Sequence, residues 1–158
     1  MPSTTPADHF STVLADYSAS AAALAITGVP TASQLQRRTK TSADAITHPH
    51  VLFDTDVTET SGSLLTLQLN LTLTAHLGTE TGQTTRAQAF AWLHALTTLL
   101  DDDHLTTWTT FNEAQTDAYR LGWHIVSIFP QPPTEDYDEP KSLLTLTAPF
   151  QLTAFWNN

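Results

Sequence analysis

The stretch Leu65-Thr66-Leu67-Gln68-Leu69-Asn70-Leu71-Thr72-Leu73-Thr74-Ala75-His76-Leu77 alternates apolar and polar residues without a break. A period of two sends successive side chains to opposite faces, so these residues predict one long β-strand with an aliphatic face and a polar face. Leucine is an ordinary strand former, and pattern rather than propensity dictates the element. At roughly twice the usual length, the strand can cross a whole sheet and run on toward a neighbouring subunit.

A second alternation closes the chain, where Leu144, Leu146, Ala148, Phe150, Leu152, Ala154 and Trp156 predict a strand over residues 142–156. Pro149 interrupts it and is expected at an edge or a bulge, because proline has no N–H for a ladder. The nearly continuous apolar run at 122–129 reads as a central strand. Between these two, residues 130–140 contain adjacent prolines and the like charges Glu135, Asp136, Asp138 and Glu139, which predict a mobile acidic loop. On the other side of the long strand, residues 51–57 predict a partner strand, with Thr58-Glu59-Thr60-Ser61-Gly62 as the turn of a hairpin over 51–77.

Helical spacing appears upstream and between the hairpins. Phe10, Val13, Leu14, Tyr17, Ala21, Leu24 and Ala25 predict an amphipathic helix over 6–26, closed by Gly28 and Pro30. Ala89, Phe90, Trp92, Leu93, Leu96 and Leu100 predict a second over 84–100, capped by Thr84 or Thr85 and packed on the aliphatic sheet face. A short helix is expected at 111–121. Residues 29–50 keep no period and form a basic connector with Arg37, Arg38 and Lys40, an exposed loop or a segment with one short helix, read as solvated or, functionally, as a binding arm. The order predicts a single α+β domain, an antiparallel or mixed sheet of about four strands in two hairpins, with helices on one face.

Composition narrows the function. Six Lys and Arg against sixteen Asp and Glu give a net charge of −10, which excludes tight wrapping of a nucleic-acid backbone. The chain has no cysteine, hence no disulfide and no thiolate metal site. The alanine-rich run at 19–26 is too short to span a bilayer, and the first ten residues carry no targeting pattern, so a soluble protein without a membrane partner is expected. Phosphate-loop, dinucleotide and nucleophile-elbow motifs are absent, and no cofactor is expected. His48, His50, Asp54 and Asp56 are candidate metal ligands by residue type, but Pro49 breaks their segment and solvated turn residues are the better account. Asp101, Asp102, Asp103 and His104 supply oxygens without the spacing of a calcium loop; they more naturally begin a loop or cap the next helix. His76 and His94 lie on or beside apolar faces and read as buried structural histidines.

This order of elements, with its hairpin arm at Leu64 to Leu77, resembles the tail-terminator proteins of long-tailed bacteriophages over nearly the whole chain. The resemblance rests on the strand Leu69-Asn70-Leu71-Thr72-Leu73-Thr74-Ala75-His76 leading through a short loop to a helix with an early arginine, Thr85-Arg86-Ala87-Gln88-Ala89, and on the late step Gly122-Trp123. It implies a virion protein assembled in the host cytoplasm. Its self-partnered ring, usually a hexamer, caps the tail tube, stops its growth and docks to the head connector while DNA passes the lumen. Arg37, Arg38 and Lys40, with Glu135, Asp136, Asp138 and Glu139, are then the interface candidates. The acidic segment is longer than a tight hairpin needs, a departure from the pattern. Other neck or tail-completion proteins share these features. The contrasting readings are a metal-dependent enzyme or small-ligand domain, built on 48–56 or 101–104, and a domain that binds a peptide at a sheet edge.

Overall fold

The two alternating stretches become neighbours across the middle of one sheet. The computed structural model describes residues 6–47, 49–78, 83–101, 104–114 and 123–156. Strand β3 (Leu64–His76) pairs antiparallel with β6 (Leu143–Trp156) along its whole length, setting Leu65 opposite Ala154, Leu67 opposite Leu152, Leu69 opposite Phe150, Leu71 opposite Ala148 and Leu73 opposite Leu146. Every one of these side chains is buried. A one-residue slip would turn the apolar row of the slipped strand to water, so the shared period fixes the register. Burial of each large side chain contributes about 1.5–3 kcal/mol.

The remaining elements dress this pair. In chain order they are α1 (Pro6–Ser18), α2 (Ala21–Leu24), β1 (Gln36–Thr39), β2 (His50–Ser61), β3, α3 (Arg86–Thr98), α4 (Leu105–Glu113), β4 (Trp123–Pro130), β5 (Thr134–Asp138) and β6. The fold is α+β with a mixed six-stranded sheet in the order β1-β2-β3-β6-β4, and β5 also pairs with β6. β1 is parallel to β2; the other pairs are antiparallel. Helix α1 lies against β1 and β2, and α3 lies against β3 and β6, on the aliphatic face. The opposite face, with Gln68, Asn70, Thr72, Thr74, Thr145 and Thr147 in register, carries no helix among the described residues.

Six strands replace the expected four because two segments without apolar periodicity pair at the margins. The basic connector contains β1, and the acidic loop contains β5 followed by a 3-10 turn at Glu139–Lys141, so neither is a simple loop. β4, expected in the centre, is an edge strand instead. The β2 strand runs on to Ser61 through a bulge between Val57 and Glu59, which narrows the hairpin turn to Gly62 and Ser63; Gly62 has φ +57°, a conformation glycine adopts without a Cβ clash.

The helices also differ at their ends. α1 stops at Ser18, whose hydroxyl donates to the Ala15 carbonyl at 2.7 Å, and Ser20 then accepts from the Ala23 amide to cap the separate α2. Short polar side chains compete here with the continuing backbone ladder, which divides the expected 6–26 helix. Thr85 caps α3 by accepting from the Gln88 amide at 3.1 Å. Phe90, assigned to the buried stripe of that helix, instead points outward beneath the Arg86 guanidinium. Helix α4 begins well before the expected 111–121, led in by the Asp101 carboxylate, which accepts from the His104 amide at 3.1 Å. The remainder of that predicted helix, 115–121, lies outside the described residues, as do Asp102 and Asp103.

Pro149 obeys its chemistry in the interior of a long strand. Its carbonyl accepts from the Gln131 amide at 2.9 Å, on the side of β6 that faces β4 and β5. A strand residue points its N and C=O the same way, so the proline nitrogen faces residues 131–133, the gap between the end of β4 and the start of β5. Pro149 therefore sits at a local edge.

Candidate interaction surfaces

The three cations of the connector have separate tasks inside the fold. Arg37 projects to the helix side from β1, level with buried Val51. Its Nε donates to Ser18 Oγ at 3.1 Å, Nη1 to the Leu35 carbonyl at 3.0 Å, and Nη2 to the carbonyls of Ser18 and Pro30. It thereby brings a cation to the C-terminal end of α1, which has no basic residue in its own last turn. Burial pulls the guanidinium down to about 10, still charged at neutral pH. With most of its donors committed, Arg37 is a structural tie rather than part of a free binding arm.

Arg38 and Lys40 are also engaged. Arg38 Nη1 donates to the Asp44 carbonyl at 2.9 Å and stands 3.7 Å from the Asp44 carboxylate. Lys40 Nζ lies 2.8 Å from Asp54 Oδ1 and 3.3 Å from Asp56 Oδ1; its pKa is raised by the hydrogen bond to Asp54 first and that to Asp56 second. The ammonium therefore stands between the two carboxylates proposed as metal ligands. His50 and Asp54 share a face of β2, but four residues of strand separate them by about 13 Å. His48 lies outside the described residues, and among those described no three His, Asp or Glu side chains converge to hold a metal ion.

The acidic set lies across the sheet. Glu135 pairs with Arg86 of α3, Asp138 stands 3.9 Å from Lys141, Asp136 is exposed on the helix-free face, and Glu139 opens the 3-10 turn. Gln36, His50, Thr74, Thr145 and Asp136 form one continuous row through the registers. The basic β1 and acidic β5 are thus opposite margins of the same strip, about 19 Å apart at the normal strand spacing. The fold does not bring the two charged sets together.

Other features had no legible signal in the sequence. A cleft of about 320 Å³ between α1 and β1 is lined by Thr12, Asp16, Gln36, Arg37, Thr39 and Ser42. It depends on β1, which no pattern announced. A more apolar notch of about 290 Å³ opens where β4 gives way to β5, lined by Phe90, Leu93, Pro130, Pro133, Ala148 and Phe150, with His94 and Gln131 also at its wall. His94, read as a buried histidine, is exposed at the wall of this notch. His104 pairs with Asp101, Nδ1 to Oδ1 2.7 Å, at the entry to α4.

No family model matches the sequence, and no curated protein matches it.

Proposed function

We propose that this chain is a ring-forming structural protein of a phage head-to-tail junction, of the tail-terminator kind, which caps the tail tube and lets DNA pass. The observation that carries the reading is a sheet with two unlike margins. On one side β2 continues beyond Phe53 to Ser61 with no outer strand among the described residues; on the other, β4 and β5 have none. β1 and β2 run one way, and β4 and β5 the other, so a copy laid alongside offers an antiparallel neighbour. Contact between unlike surfaces is heterologous, and it closes into a ring when the rotation allows. Bulges near Thr58 and Val126, with acids along β2 and β5, restrict such pairing to a partner of matching twist.

The charge distribution supports the passage of DNA. Arg38 and Lys40 on the helix-free side are both held by carboxylates, and the chain carries a net charge of −10, which favours sliding over phosphate contacts. Among the described residues no helix is long and apolar enough to cross a membrane.

The test is the native mass of the protein over a concentration series, with negative-stain imaging of each species. Closed rings with a central hole are expected. A monomer at every concentration would overturn self-assembly and favour the second reading that the free β4 edge suggests, addition of an extended peptide as an extra strand.

A further inference from the structure

The free length of β2 carries carboxylates that its pairing within the sheet does not use. β1 covers β2 only as far as Phe53, opposite Thr39, and beyond it no strand lies outside β2 among the described residues. The Pro49 carbonyl accepts from the Gln36 amide at 3.2 Å, so alternation along β2 turns the N–H and C=O of Thr55 to the same outer side. Such an edge is a template for another strand.

Three acids stand on one face of it. Asp54 and Asp56 lie opposite Asn70 and Gln68, on the helix-free face. In a regular strand the step from Asp56 to Glu59 would put the two on opposite faces, but the bulge between Val57 and Glu59 absorbs one residue and sets Glu59 opposite Thr66, on the same face. Lys40, the first residue after β1, places its one ammonium 2.8 Å from Asp54 and 3.3 Å from Asp56. Glu59 is exposed and has no ion pair among the described residues, so the edge stays negative with its own lysine in place.

The bulge also decides what a second β2 would meet. Two copies laid edge to edge about a two-fold axis between Val57 and Thr58 set Thr55 opposite Thr60 and Asp56 opposite Glu59, each pair twice. Thr55 and Thr60, in register with Leu69 and Leu65, share the helix side, and Asp56 and Glu59 share the other, so the faces agree on both sides of the axis. Charge opposes this pairing, because like carboxylates would stand directly opposite with Cβ atoms about 4.5–5.5 Å apart. We infer that Asp56 and Glu59, with Asp54 beside them, bar a second β2 from this edge and reserve it for a strand without carboxylates. The identity of that strand rests on the ring reading: β5 carries Glu135, Asp136 and Asp138 and is repelled as well, whereas β4 of the next copy contains no Asp or Glu.

The test removes the charge and reads the symmetry. The variant Asp56→Asn/Glu59→Gln is compared with the parent chain by native mass over a concentration series, with far-UV circular dichroism to confirm folding; both positions are exposed. It is expected to form a dimer about tenfold or more tighter than any the parent forms. The chain has no cysteine of its own, so Asp56→Cys/Glu59→Cys under mild oxidation reports the register: covalent dimers and nothing larger are expected on a denaturing gel, since an isologous contact closes on itself. Parent rings whose mass is unchanged in Asp56→Asn/Glu59→Gln, or covalent products that run on beyond the dimer, overturn this inference and leave the ring reading standing. A parent that is monomeric throughout, with dimers in the neutral variant, overturns the ring and leaves the charge barrier in place.

Discussion

Tyr17 shows how one atom reports on its surroundings. Its ring is fully buried, edge-on to Trp108 with centroids 5.5 Å apart and 5.4 Å from Phe111, where it joins α1 to α4. Its hydroxyl finds no hydrogen-bond partner among the described residues. An orphaned buried hydroxyl costs about 1–3 kcal/mol, so Tyr17→Phe is expected to raise stability by about 1 kcal/mol at neutral pH, measured by denaturant unfolding. Burial, and secondarily the Asp101 carboxylate, lift the phenol above its usual 10.0. A group that holds its proton more firmly when folded contributes fully below its unfolded pKa, and that contribution is lost as the pH climbs through the raised value. Stability should therefore fall above about pH 10 in the parent more steeply than in Tyr17→Phe. Equal slopes would show that other groups govern the alkaline limb. The aromatic spacing of α1 was legible in Phe10, Val13, Leu14 and Tyr17, whereas the missing partner of the hydroxyl was not, because it depends on what α4 brings from far along the chain.

At the scale of elements, β1 is a strand of four residues without an apolar alternation. Parallel pairing with β2 and the Arg37 tie to the end of α1 hold it in place. Arg37→Met keeps the stem but strands the carbonyls of Ser18, Leu35 and Pro30; a loss of about 2–4 kcal/mol is expected in chemical denaturation. A change within experimental error would show that water replaces the guanidinium. The same geometry corrects the view of the basic connector as a detachable arm, since reversing charge at Arg37 should disturb the fold itself. Strands β3 and β6 and helices α1 and α3 were legible because each hides one face and so carries a period. β1 and β5 were not, because neighbours recruit them by backbone hydrogen bonds, which leave no pattern of side chains. β4 shows the converse limit: an apolar run announces burial, but it does not say which strand lies beside it.

For the whole molecule, the distribution of charge decides what kind of association is possible. The positive residues near β1 are spent on Ser18, Asp44, Asp54 and Asp56, and Glu135 on Arg86. Association through strand margins should then depend little on ionic strength. Raising salt from about 0.1 to about 0.5 M, which shortens the screening length well below 10 Å, is expected to shift the assembly midpoint by less than about threefold. A steep loss of assembly would place exposed charges at the contact. The charged sets stand out by their clustering in the sequence, but the partners of Arg37, Lys40 and Glu135 come from remote segments, and only folding reveals them.

By itself the sequence determined the α+β class, the two long central strands and their shared inward face, because alternation and helical spacing are local consequences of burying one side of an element. The tertiary structure decided the number of strands, their edge or central places, the internal pairing of Arg37, Arg38 and Lys40, and the notch beneath Phe90. Those properties arise from contacts between residues distant in the chain, and a pattern along the chain cannot encode which surfaces meet across space.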